Sequence, residues 1–178
     1  MNHLAIDLET LSLKPNAHIL SIGAVFFCPR TKQLGPKFHI VIDPEAEQVG
    51  ANISASTVNW WFNQIIFSRE LAFSQCPRET TDLASALQQL VYWVDANHSG
   101  NEELSVYQQG SLDSVWLESA GDRTGIKMPW KYNRVYCART LWHHSEPTEM
   151  PWHNEGVEHN ALQDAMDVAF RMMELPNL

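Results

Sequence analysis

The first strand-like segment of this chain, His3-Leu4-Ala5-Ile6, runs straight into Asp7-Leu8-Glu9-Thr10. Side chains two apart on a strand share a face, so Asp7 and Glu9 converge on one spot. Two carboxylates at the end of a buried strand repel each other and resist loss of water, so the fold must bring something positive to them. Hard anionic oxygens in that arrangement suit Mg²⁺ or Mn²⁺. The triplet is common in itself, and its meaning rests on the partners that stand downstream.

The segment Ile19-Leu20-Ser21-Ile22-Gly23-Ala24-Val25-Phe26-Phe27 is rich in β-branched and aromatic residues and predicts a central strand. Pro29 to Lys32 predicts a turn, and Lys37 to Ile42 alternates as a third strand before Asp43-Pro44 stops it. Short turns between consecutive strands predict an antiparallel meander. The period then changes. Ser54 or Ser56 starts a helix carrying Val58, Trp61, Phe62 and Ile65, and a second follows Thr80 with Leu83, Leu87, Leu90, Val91 and Val94 on one stripe. Leu104 to Tyr107 predicts a short strand, Ser111 to Ala120 a helix, and Val135 to Ala138 a last strand. The final helix is predicted from about His159 to Glu174, and residues 143–158, with three His, four Glu and two Pro, read as a loop. Strands first, then helices alternating with strands, predict an α/β fold with a mixed sheet flanked by helices.

The 178 residues fit one domain, 1–178, long enough to bury a core, with no repeat, low-complexity stretch or linker. Net charge is −9, which argues against sequence-independent coating of a duplex. An enzyme gripping a few nucleotides at a metal centre is compatible with it. Arg123, Lys127, Lys131, Arg134 and Arg139 form a stretch without Asp or Glu that is suited to upstream phosphates, or simply to a solvated surface. Seven tryptophans leave some for flat contact with bases, although core packing is the more ordinary use. Cys28, Cys76 and Cys137 are scattered and odd in number, which predicts a reducing compartment and no structural zinc. With no signal-peptide pattern and no long apolar run, a soluble cytoplasmic protein without membrane association is expected.

Two further acids lie in apolar surroundings. Asp113 stands where strand 104–107 gives way to a helix, flanked by Leu112 and Val115; its other reading is an N-cap or a solvated first-turn acid. Asp164 lies beside the inner stripe of the last helix, between Leu162 and Ala165, and is otherwise an ordinary surface acid. Asp167 is assigned to solvent. Asp7, Glu9, Asp113 and Asp164 together suit two divalent ions, roughly 3.5–4 Å apart, for in-line displacement at phosphorus. The attacking water needs a base, and His159, five residues before Asp164, is placed to supply it. His144 and His153 are the other candidates, though neither has an acid five residues on that the rest of the chain explains. The cluster His143, His144, His153 and His159 invites a zinc reading, but neither the Cys nor the helical H-x₃-H usual in such sites is present, and a mobile polar loop over the site explains it better.

The order D-x-E, D, H-x₄-D resembles the DEDDh branch of the DnaQ-type (RNase T-like) 3′–5′ exonucleases. More narrowly, the chain resembles their phage and prophage exonuclease VIII-like, exoribonuclease-like group. The texture is carried by Asp7-Leu8-Glu9-Thr10-Leu11, Ala17-His18-Ile19-Leu20-Ser21-Ile22-Gly23-Ala24-Val25 and Thr57-Val58-Asn59-Trp60-Trp61. It continues through Gly110-Ser111-Leu112-Asp113-Ser114-Val115-Trp116-Leu117-Glu118-Ser119-Ala120, Pro129-Trp130 and His159-Asn160-Ala161-Leu162-Gln163-Asp164-Ala165. The resemblance implies an RNase H-like mixed five-stranded sheet whose first three strands are antiparallel. It implies Asp7, Glu9, Asp113 and Asp164 as metal ligands and His159 as base. Thr10 and Leu11 match positions that touch the terminal nucleotide, and Trp61 an aromatic that lines its pocket or packs in the core.

There are departures. Relatives carry a small or amide residue, then Gly, Asn, Gly and an aromatic, before the third acid, where this chain has Tyr107-Gln108-Gln109-Gly110-Ser111-Leu112-Asp113. An Asp common ahead of the Arg-Thr pair is replaced by Cys137. These changes bear on Gln109, Leu112 and Cys137, hence on substrate grip and on the support of the ligands.

The expected function is metal-dependent 3′–5′ exonucleolysis of single-stranded 3′ ends, with two Mg²⁺ or Mn²⁺ ions, releasing nucleoside 5′-monophosphates. RNA is favoured over DNA as substrate, and single-stranded DNA is the alternative. A weakly active or inactive module that binds nucleic acid or protein is the alternative of another class. By analogy with relatives, a homodimer in a bacterial host carrying phage or prophage is the expected setting.

Overall fold

The computed structural model describes residues 1–64, 81–100, 102–145, 159–175 and 178. Strands β1 (His3–Thr10), β2 (Ile19–Cys28) and β3 (Gln33–Val41) are followed by helices α1 (Ala55–Phe62) and α2 (Leu83–Asn97). Then come β4 (Ser105–Gln108), α3 (Asp113–Thr124), β5 (Val135–Cys137), α4 (Ala138–His144) and α5 (Ala161–Glu174). The five strands form one sheet in the order β3-β2-β1-β4-β5. The first three pair antiparallel, whereas β1–β4 and β4–β5 pair parallel, so the sheet is mixed. This is the architecture the sequence predicts.

Alternation along β1 sorts the core into two halves. Leu4, Ile6 and Leu8 face α2 and α3, where Leu87, Leu90, Val94, Leu117 and Ala120 close over them. Ala5 faces the other way, with Val25 and Phe27 of β2, onto Ala165, Val168, Ala169 and Met172 of α5. A sheet covered on both faces needs apolar side chains pointing both ways, and β2 is buried from Ile19 to Phe27. At the edge, β3 is only half-buried and carries Pro36, which a central strand would not tolerate.

Helix ends follow local chemistry. The Asp82 carboxylate accepts from the Ser85 N–H at 2.9 Å, and the Asn160 side-chain carbonyl accepts from the Gln163 N–H at 3.0 Å, capping α2 and α5. Gly125, at φ 76°, ends α3 in the left-handed conformation that a residue without a Cβ adopts freely.

Two of the differences from expectation bear on the site. The last helix begins at Ala161, because Asn160 caps it and His159 stands outside with φ 64°. His143 and His144, expected in a loop, belong to the short helix α4, whose Ala138 and Trp142 are buried. Seven residues are too few for helical periodicity to show in the sequence. Ile65, Cys76, Thr80, His153 and the stretch 146–158 lie outside the described residues. No helix among the described residues is long and apolar enough to cross a membrane.

Candidate active site

Asp7 and Glu9 occupy the β1 face that looks toward α5, in phase with Ala5. The β1–β2 register shifts between Glu9 and Thr10, so the strand bends away just beyond the second acid. Asp113 arrives from the other side as the first residue of α3. It is 6% exposed, and its Oδ1 accepts from the Leu8 N–H at 3.1 Å, which ties the head of α3 to β1 between the two strand acids. Leu112, not Asp113, stands at the N-cap, and Asp113 is buried, so both other readings of Asp113 give way. The Gln108 side-chain carbonyl accepts from the Ser114 N–H at 2.7 Å and supplies what a capping residue would otherwise give.

The fourth acid comes from α5 and the histidine from the residue just ahead of its cap. Asp164 lies in its first turn. Gly23 of β2, the register partner of Asp7, lets the helix start settle directly on the strand. As a result a carboxylate oxygen of Glu9, one of Asp164 and a ring nitrogen of His159 all lie within 4.8 Å of one another. The His159 ring stands edge-to-face on Trp60 with centroids 4.7 Å apart and lies 6.1 Å from Trp61. A non-glycine residue at positive φ is strained, and here the surroundings hold it.

The electrostatics show the acids acting on one another. Burial raises Asp7 well above the ordinary carboxylate range, and the charges of Asp113, Glu9, Asp164 and Asp167 raise it further. Burial, then Asp164 and Asp113, does the same to Glu9. Asp113 is pushed up to about 6 by burial, with the Leu8 N–H holding it down. Among the described residues, the charges that act on Asp7 are all carboxylates, so this end of β1 is short of positive charge. Hard oxygen donors with a deficit of that sign fit divalent Mg²⁺ or Mn²⁺.

Asp167 is not a solvent residue. It is 3% exposed, and Arg171, one turn on, is equally buried. Asp167 and Asp164 both act on the Arg171 guanidinium and favour its charged form against burial. The sequence carries the signal, an acid and a base four apart on one helix face, but that pattern is usual on surfaces and does not by itself point inward.

Beside the acids opens a cavity of about 490 Å³, lined by Leu8, Glu9, Thr10, Leu13, Ser56, Thr57, Trp60, Trp61 and Trp116. Trp61 is 2% exposed and donates from Nε1 to the Thr10 carbonyl at 3.0 Å, so it serves core and wall together. Trp60 is 42% exposed. Leu11 is buried against Leu20 and Trp61 and is not among the residues lining the cavity, whereas the exposed Leu13 is. The sequence alone does not assign Leu13, Trp60 or Trp116 to a site, because aromatic and aliphatic residues at such spacings look like core.

Two of the departing residues, Gln109 and Cys137, meet beside Arg171. The Gln109 Oε1 accepts from the Arg171 Nη1 at 2.6 Å, and the Cys137 Sγ lies 3.8 Å from the Gln109 carbonyl oxygen. Leu112 packs against the α2–α3 core. The basic stretch is largely engaged within the chain. Lys131 and Arg134 pair with Glu103, and Arg123 donates to the carbonyls of Ser119, Ala17 and Val49. Among the described residues, His159 is the one histidine grouped with potential metal-binding acids.

The model of the 3′–5′ exoribonuclease Rv2179c-like domain matches residues 2–174. Among solved structures, the nuclease domain of 3′hExo, a DEDDh family member bound to rAMP, superposes with a TM-score of 0.67 at 14% identity, covering 96% of this chain and 89% of that one. A zinc-bound complex of E. coli ExoI with single-stranded DNA superposes with a TM-score of 0.64 at 12% identity, covering 97% of this chain. This chain spans only 39% of that exonuclease's length. At these identities the likeness is one of fold. No curated protein sequence matches the chain significantly.

Proposed function

The chain belongs to the 3′–5′ exoribonuclease Rv2179c-like domain family, and from that premise we propose that it is a 3′–5′ exonuclease of the DEDDh type that removes nucleoside 5′-monophosphates from single-stranded 3′ ends, RNA before DNA. The convergence of Glu9, Asp164 and His159 within 4.8 Å is the observation that carries this reading. It brings two acids and a base from opposite ends of the chain to one point.

In this reading Asp7, Glu9, Asp113 and Asp164 hold two divalent ions, Mg²⁺ or Mn²⁺. When bound, the ions lower the pKa of the attacking water and stabilise the charge developing on the leaving oxygen. His159 accepts the water proton on its ring nitrogen. The new bond joins water oxygen to phosphorus and the bond to the 3′ oxygen breaks, leaving a 5′-monophosphate and a strand shortened by one nucleotide. Imidazole is the side-chain base suited to this at neutral pH.

The terminal nucleoside occupies the cavity beside Glu9, with its base against the exposed face of Trp60 and the exposed Leu13. The Thr10 backbone, fixed by Trp61, borders it, and Leu11 supports it by packing against Trp61. Such recognition is by stacking and shape, with little sequence preference.

RNA is placed first because the family is described as exoribonucleases and a neighbour of the same fold binds rAMP. Single-stranded DNA is the second reading, favoured by the ExoI complex. The presence of all four acids and the histidine speaks against a non-catalytic module. On its quoted motifs, the nearer kinship is to the phage and prophage exonuclease VIII-like group, and a cytoplasmic homodimer is the expected form.

End-labelled RNA and DNA oligonucleotides of matched sequence, followed over time with Mn²⁺, Mg²⁺ or EDTA, test the proposal. Stepwise shortening from the 3′ end of RNA, faster than of DNA and abolished by EDTA, is the expected result. No metal-dependent shortening of either strand overturns it.

A further inference from the structure

Arg171 lies in the third turn of α5 with 3% of its surface exposed, on the same helix as Asp164 and reaching toward the loop that leads into Asp113. A guanidinium in the interior is expensive to hold, so its partners matter. One is Asp167, a turn earlier and equally buried. The other is Gln109, whose side-chain oxygen accepts from Nη1 at 2.6 Å. Gln109 sits between β4 and α3, and the Cys137 thiol at the end of β5 approaches its carbonyl oxygen at 3.8 Å.

We propose that the Arg171–Gln109 hydrogen bond is a tether that sets the spacing of the metal-binding carboxylates. Across it, the helix carrying Asp164 is tied to the loop that leads into Asp113 at the head of α3, so two ligands that share no element are linked. The inference rests on the metal reading above and adds positioning residues to it. Arg171 touches no reacting atom in this account. It holds the two sides of the cluster at a fixed distance, and its charge lies among acids that otherwise only repel. The charge of Asp167 still favours the charged guanidinium when the far end of the tether is changed.

Because the charge of Asp167 still favours the guanidinium, Gln109 is the better point of attack. Gln109→Leu removes the acceptor and keeps the buried charge, whereas Gln109→Glu keeps an oxygen at the same place. Mn²⁺ affinity, measured by calorimetric titration of the full chain, is the readout, alongside the melting temperature in EDTA. Partners that orient metal ligands from behind typically change affinity by about 10–100-fold when removed. Gln109→Leu is expected to weaken Mn²⁺ binding by about tenfold with its EDTA melting temperature kept near wild type, and Gln109→Glu to restore affinity to within about threefold. Arg171→Met should weaken binding at least as much, and adding Gln109→Leu to it should change little more, because the two act through one bond.

Wild-type protein that takes up no Mn²⁺ overturns the metal reading and the tether with it. Wild-type affinity in Gln109→Leu, beside normal uptake by wild type, overturns the tether alone. Should Arg171→Met fail to fold, the two Gln109 variants decide the matter by themselves.

Discussion

Gly23 on β2 lies so close under Ala161 of α5 that a Cβ built on it would stand 2.1 Å from the Ala161 carbonyl. The obstacle is backbone at the helix start and cannot rotate aside. Gly23→Ala must therefore lift the head of α5 and carry His159 and Asp164 away from Asp7 and Glu9. Overpacking of this kind costs about 1–3 kcal/mol or more. A lower melting temperature together with loss of nuclease activity is expected; a variant as stable and active as wild type would show that the helix does not depend on this contact.

Asp7 is raised by four neighbouring carboxylates as well as by burial. Asp7→Asn removes one member of a repelling set and nearly preserves shape. The variant should be at least as heat-stable as wild type in EDTA, while mononucleotide release falls to background. Retained turnover would remove Asp7 from the metal-binding set.

Asp113 contributes to the pH dependence of stability, in the same sense as the raised Asp7 and Glu9, because it moves from an ordinary value of 3.8 to about 6 in the fold. Folded protein keeps this proton where unfolded chain has lost it. The associated stabilisation is complete below about pH 4 and is lost as pH rises through 6. His3, His18 and His39 are lowered by burial and act in the opposite sense, since the unfolded chain binds their protons more readily. Comparison with Asp113→Asn in EDTA isolates the carboxylate. The variant's melting temperature should gain on wild type as pH rises from 4 to 7, and Mn²⁺ should stabilise wild type more at neutral pH than at acid pH. A gap that does not change with pH contradicts the assignment.

His159 and Trp60 touch edge-to-face but are given different duties. His159→Ala should lower kcat by roughly 10²–10⁴ with Mn²⁺ uptake largely kept. Trp60→Ala should chiefly raise KM, by the roughly 1–3 kcal/mol that a stacked base is worth. If Trp60→Ala instead reproduced the His159→Ala loss of kcat with KM unchanged, its main task would be holding the imidazole rather than the nucleotide.

The sheet was legible in the sequence because β1, β2 and β3 have long, strongly patterned strands. The four acids and His159 could be ordered along the chain since strand phase and helix position constrain them. Asp167 was misplaced, because an acid four residues before an arginine has the same sequence pattern on a surface as inside. The α4 helix was too short to display a period. The close seat of α5 on Gly23 depends on distance between elements far apart in sequence. Within the basic stretch, Lys131 and Arg134 pair with Glu103, an acid far earlier in the chain that spacing alone does not reveal.

Since Asp164 on α5 and His159 just ahead of that helix follow the other three acids in the order of synthesis, chemistry waits on a segment made after them. A nascent polypeptide that has emerged only through α4 already holds Asp7, Glu9 and Asp113 but has neither the fourth acid nor His159. On the assignments made here, a ribosome translating this protein exposes no competent nuclease beside its own message until α5 has left the exit tunnel and docked on β2.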